Sequence, residues 1–118
     1  MPCIVSPDIS RGYELLASDS FCGHWSGSDL AEAHRCNKVI VPGSATCQEE
    51  CNVLHSCVGY SQQASNNLCY VFTANGWCPP GWTEQDGKVV KHHTQLVANN
   101  NCNCPDYNCY KKSMNTLI

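Results

Sequence analysis

A small, disulfide-stapled α+β domain is what this sequence predicts. The first observation is eleven cysteines in 118 residues, with only 14% of the chain charged, a composition that belongs to a disulfide scaffold. The second is the stretch Thr46–Thr73, TCQEECNVLHSCVGYSQQASNNLCYVFT, where a helical pattern gives way to two strand patterns. The third is the turn chemistry around it: Pro42-Gly43, Asn75-Gly76, Cys78-Pro79-Pro80-Gly81 and Asp86-Gly87 cut the chain into short segments joined by long loops. Cysteines in this number imply an oxidising compartment, because a reducing cytosol would demand a metal or redox role for them. The expected location is therefore extracellular. Met1–Ser10 lacks the basic start and apolar run of a secretory signal, so a signal is expected to have been removed or never to have been part of this sequence.

Taken in order, Met1, Cys3, Ile4 and Val5 are apolar and broken by Pro2 and Pro7, so residues 1–11 read as an extended N-terminal arm and residues 12–118 as the stapled domain. Gly12–Ala17 is a first strand candidate. Ser28–His34 is expected to form a short capped helix or helical turn. Lys38–Val41, stopped by Pro42-Gly43, is a second strand candidate. Thr46 and Glu49 form the capping box that starts a helix, since each side chain reaches the other's unpaired backbone N–H. Cys47 and Cys51 then lie four apart on one helical face, which Leu54 continues. Cys57–Ser61 and Leu68–Phe72 read as strands separated by a polar turn. Trp82–Gln85 and Lys88–Lys91, around Asp86-Gly87, are predicted to pair as a hairpin that His92–Val97 extends. Asn99–Pro105 is a disulfide-anchored loop, and Cys109–Lys112 a last strand.

The central stretch resembles the PAN/apple module, whose signature is a helix carrying C-x-x-x-C, a strand with C-x-G-Y/F-S, and a strand with C-Y followed by apolar residues. Here these are Cys47-x-x-x-Cys51, Cys57-Val58-Gly59-Tyr60-Ser61 and Cys69-Tyr70-Val71-Phe72. The resemblance implies bridges Cys47–Cys69 and Cys51–Cys57, clamping one main helix on a curved antiparallel sheet. By analogy with the terminal staple of apple domains, it also implies Cys22–Cys109. Cys3, Cys36, Cys78, Cys102 and Cys104 are then left, and an odd number leaves one thiol that is either buried or bonded to another chain. Cys3, near the terminus, is the candidate for an intermolecular bond.

Few residue patterns point to catalysis. Cys102-x-Cys104, His92-His93, His24 and His34 are metal-ligand types without the spacing of structural zinc sites. No cysteine stands apart as a reduced nucleophile, and Glu49-Glu50 are neighbours on different faces of a helix, with Glu49 engaged in capping. The expectation is no enzyme activity, no cofactor and no metal. The basic residues are few and not interleaved with aromatics, which argues against nucleic acid, and no apolar run reaches the ~20 residues of a membrane span. Trp25, Trp77 and Trp82 are either core fillers or rigid platforms for a ligand, and Trp82, beside the Pro-Pro-Gly loop, is expected to be exposed.

What the resemblance implies is an extracellular adhesion module that binds an extracellular protein or a glycan, and the residues themselves offer Trp25, Trp77 and Trp82 for that contact. The alternative is a structural subunit of an extracellular fibre, in which copies of the chain assemble head-to-tail through Cys3, Ile4 and Val5 of the arm. Residues 1–87 carry three basic and nine acidic side chains, residues 88–118 four basic and one acidic, an asymmetry that suits such contacts. A secreted toxin or protease inhibitor is a third reading, carried by disulfide density alone.

Overall fold

The computed structural model describes residues 12–63, 65, 67–99, 102 and 104–113. Its centre is a six-stranded antiparallel sheet built from β1 (Tyr13–Ser18), β4 (Arg35–Val39), β5 (Cys57–Gln63), β6 (Leu68–Thr73), β7 (Thr83–Gln85) and β9 (Tyr107–Lys112), in the order β1-β9-β5-β6-β4-β7. A second sheet of three strands, β2 (Phe21–Trp25), β3 (Leu30–Ala31) and β8 (Leu96–Asn99), has the order β3-β2-β8. The helix α1 spans Cys47–Val53. The fold is α+β, with the helix and the small sheet on opposite faces of the main sheet.

Alternation along each strand creates those two faces. On β6, Cys69 and Val71 belong to one apolar cluster with the helix cysteines Cys47 and Cys51. Tyr70 and Phe72 belong to the other, with Phe21, Cys22 and Leu96 of the small sheet. Residue by residue, the main sheet is therefore apolar on both sides, and each side needs a cover.

Helix α1 starts where the capping box predicts: Glu49 N–H donates to Thr46 Oγ1 at 3.1 Å and Thr46 N–H to Glu49 Oε1 at 2.7 Å. A helix of 7 residues is too short to persist alone in water, so its stability comes from docking. Cys47 bonds to Cys69 and Cys51 to Cys57, both pairs fully buried. At the far end, the buried Lys112 donates from Nζ to the carbonyl oxygens of Cys51 and Leu54, at 3.0 and 3.5 Å. Both carbonyls also accept a backbone N–H, from Leu54 and Cys57, and the ammonium adds a cation at the negative end of the helix dipole. Burial lowers the Lys112 ammonium pKa from its ordinary value. Beside it Tyr13 meets Tyr60 edge-on with centroids 5.3 Å apart, and Tyr60 stacks on Tyr110 at 4.9 Å.

The small sheet is held by the Cys22–Cys109 bridge from β2 to β9, and it lies very close to the main sheet at Gly59. A Cβ there would collide with the Leu96 side chain and the Tyr110 carbonyl, so the glycine of C-V-G-Y-S is required by layer contact, next to a bulge between Cys57 and Gly59.

Four expected elements differ. Ser28–His34 is not helical: Leu30–Ala31 pairs with β2, and Ala33 makes a parallel bridge to Lys88. The apolar Leu30 and Ala33 are better buried between strands than on one isolated helical turn. The strand placed at Lys38–Val41 begins three residues earlier, at Arg35, because Cys36 must face the helix-side core and bonds to Cys78. The hairpin of Trp82–Gln85 with Lys88–Lys91 does not form. Thr83–Gln85 pairs instead with Arg35–Asn37, and Asp86-Gly87 leads the chain against Ala33, where a Cβ on Gly87 would overlap backbone. Residues His93–Gln95 form a 3₁₀ turn before β8 rather than extending a strand.

Candidate functional site

The seam between the two sheets opens into a cleft of about 220 Å3 lined by Phe21, Glu32, Arg35, Tyr70, Asn99, Tyr107 and the Cys102–Cys104 disulfide. Each ring reaches it by strand alternation. Phe21 precedes the staple cysteine Cys22 on β2, Tyr70 follows Cys69 on β6, and Tyr107 lies two before Cys109 on β9. Phe21 meets Tyr70, Phe72 and Tyr107 edge-on, with centroids at 4.9, 5.7 and 5.2 Å, the arrangement that ring quadrupoles favour.

Arg35 lies over these rings, its guanidinium carbon 4.9 Å from the Phe21 centroid and 5.8 Å from that of Tyr70. It is fixed from behind by donation to the Ala33 carbonyl at 2.9 Å and to Gln85 Oε1 at 3.3 Å. One edge remains toward Glu32, 3.5 Å away and mostly exposed, so this contact is a weak, solvent-screened one. Burial, then the neighbouring Tyr70 hydroxyl, push the Tyr107 phenol up to about 12, and Arg35 opposes the rise. Tyr107 is thus a neutral hydrogen-bonding group at physiological pH, and its hydroxyl donates to Gln63 Oε1 at 3.2 Å. The cleft combines apolar ring surface with a guanidinium, a carboxylate and an amide at its rim.

The tryptophans do not form one platform. Trp77 is the most exposed, at 57%, on the loop anchored by Cys36–Cys78. Trp25 is 39% exposed at the end of β2 in the small sheet. Trp82, expected to be the exposed one, is half-buried against the helix-side core. Lys38 lies 4.7 Å from its ring centroid and pairs with Glu50 at 3.1 Å. The Pro-Pro-Gly loop folds the ring inward because the apolar surface around Cys36 and Cys78 needs covering. Cys3, Ile4 and Val5 lie outside the described residues. Of the basic side chains in residues 88–118, Lys112 is spent on the helix end and Lys111 lies 3.8 Å from Glu14 on β1, so part of the charge asymmetry is answered within the chain.

The structure joins Cys47 to Cys69, Cys51 to Cys57 and Cys22 to Cys109, and adds Cys36–Cys78 and Cys102–Cys104. All ten cysteines of the described residues are paired, and the eleventh, Cys3, lies outside them. Among the described residues, no three His, Cys, Asp or Glu side chains converge as a metal site, and no helix is long and apolar enough to cross a membrane. The sequence reading missed Phe21, Glu32, Arg35, Tyr70, Asn99 and Tyr107. A signal existed for the three rings: each sits beside or near a staple cysteine on a strand, and Tyr70, adjacent to a helix-facing cysteine, must point to the opposite face.

Fold and cleft together define a disulfide-stapled α+β domain with an aromatic cleft between two sheets, and the five bridges fit folding in an oxidising compartment. No family model, curated protein or solved structure matches the chain.

Proposed function

We propose that this protein is a secreted, non-enzymatic PAN/apple-like adhesion module whose cleft between the sheets recognises an extracellular glycan or protein. The observation that carries this reading is the convergence of Phe21, Tyr70 and Tyr107 with Arg35, Glu32 and Asn99 in one cleft. Pockets that bind small molecules are apolar with a few placed polar groups. At about 220 Å3 this one falls below the roughly 300 Å3 at which drug-sized pockets begin. It therefore suits one sugar ring or one peptide side chain rather than a whole ligand. Both kinds of guest gain from flat rings flanked by donors and acceptors, since rings supply contact area at low entropic cost and the polar rim fixes orientation. Trp77, exposed on its disulfide-anchored loop, offers a second contact point for a larger ligand.

A glycan array and a panel of extracellular proteins, each probed with wild-type protein, Tyr70→Ala and Trp82→Ala, tests the assignment. Tyr70→Ala should weaken binding about tenfold, the effect of losing roughly 1.4 kcal/mol of ring contact. Trp82→Ala should leave binding nearly unchanged, because that ring is already covered by Lys38. Equal loss in both variants would move the site away from the cleft, and no binding by the intact protein to either panel would overturn the reading.

A further inference from the structure

The five disulfides are not equivalent. In Cys22–Cys109, Cys47–Cys69 and Cys51–Cys57 both cysteines are 0–1% exposed, and in Cys36–Cys78 the first is fully buried. A thiolate must approach a disulfide along the S–S axis, so the first three bridges are closed to reagents while the domain is folded, and Cys36–Cys78 can be reached only at the half-buried Cys78. Cys102 and Cys104 are both only half-buried, and both line the cleft.

Loop length points the same way. A bridge stabilises a fold mainly by restricting the unfolded chain, and the effect grows with the loop it closes. The other four bridges span sequence separations of 87, 42, 22 and 6 residues, and Cys102–Cys104 spans 2. It contributes least to holding the domain, and opening it leaves every link between layers intact. Accessible bridges with little structural duty are the exchangeable ones. Arg35 lines the same cleft, and positive charge in the surroundings of a released thiolate makes it a better leaving group.

We propose that Cys102–Cys104 is a thiol-exchange site, at which a cysteine-bearing extracellular partner that enters the cleft is captured covalently. The partner's thiolate bonds to one of the two sulfurs, the S–S bond breaks, and its electron pair leaves on the other sulfur as a thiolate that takes up a proton. One disulfide is consumed and one is formed, so no external oxidant or reductant is required. The step is reversible, because the released thiol can attack the mixed disulfide and expel the partner. The cleft, sized for one residue-scale group, admits a cysteine side chain. This inference does not depend on whether the module's ligand is a glycan or a protein.

Reduced glutathione is the probe, applied under native conditions to full-length protein carrying Cys3→Ser, so that the odd thiol does not contribute. After an acid quench and alkylation of new thiols, peptide mass mapping reads which cysteines carry glutathione or alkyl label. Cys102 and Cys104 should be modified at least about tenfold faster than any cysteine of the other four bridges. Circular dichroism should be unchanged while this occurs, and a Cys102→Ser/Cys104→Ser variant should take up no glutathione yet melt cooperatively. Modification of all bridges at one rate, no native-state modification, or mapping of Cys102 and Cys104 to other partners in untreated protein would overturn the proposal.

Discussion

The two faces of the main sheet are built from the same strands but closed differently. On the helix face, three bridges, a capped helix end, a buried lysine on the other end and a row of three tyrosines occupy the available surface. On the other face, one bridge holds a three-stranded sheet, and the seam gapes where Arg35 lies across the rings. Where α1 is clamped, the inward side chains are spent on bridges, hydrogen bonds and ring contacts. Where the cover is a second sheet pinned at one point, the mismatch between two sheet edges leaves room for a guest.

The comparison is tested most severely by removing its staples. Because Cys22–Cys109 closes the longest loop, at a separation of 87 residues, replacing both cysteines by alanine should cost roughly 4.5 kcal/mol in the chain-entropy picture. Replacing Cys51 and Cys57, separated by 6, should cost roughly 2.4 kcal/mol. Urea unfolding gives both values. A larger loss on the helix face would mean that native packing, not loop closure, sets the ranking.

Alkaline titration examines the faces without mutation. Burial raises Tyr13 to about 12, and pushes Tyr60 above its ordinary range with help from neighbouring Tyr110 and Tyr13; on the cleft face, Tyr107 rises to about 12. A phenol with a folded pKa above its unfolded value near 10 stabilises fully below pH 10, and that stability drains away as pH climbs toward the folded value. Melting temperature should therefore fall steeply above about pH 10, together with tyrosinate absorbance. Lys112 has the opposite sign: its lowered pKa makes a contribution that rises with pH below its unfolded value. That contribution is complete by about pH 10.5, so the fall above it belongs to the phenols and Lys112→Met should leave its slope there unchanged.

The smallest expected effect is Thr46→Ala. Loss of one side of the capping box should cost about 1 kcal/mol, read as a small shift in urea midpoint, with ligand binding at the cleft unaltered. Altered binding would show that the two faces communicate through the sheet.

Legibility followed the range of the contacts. The capping box, the two-cysteine helix and the strands around Cys57 and Cys69 were readable because their determinants lie within a few residues of each other. The Trp82–Lys91 hairpin failed for the opposite reason. Asp86-Gly87 is a sound turn signal, but the flanking segments found better partners in β4 and at Ala33, and strand pairing is decided by total burial rather than by the turn. Trp82 was misplaced because adjacency to a rigid proline loop says nothing about which way that loop folds.

By itself the sequence determined the composition of a disulfide scaffold, the start of its helix, the alternation that makes the central strands apolar on both faces, and, by parity, an odd cysteine. Those are local or additive properties of the chain. Only the tertiary structure decided that a second sheet covers the far face, that Phe21, Arg35, Tyr70 and Tyr107 meet, and that Cys102–Cys104 opens onto the place where they do. These residues come from four strands separated by up to 86 positions, and no short-range signal links them. What brings them together is the burial of two apolar sheet faces at once.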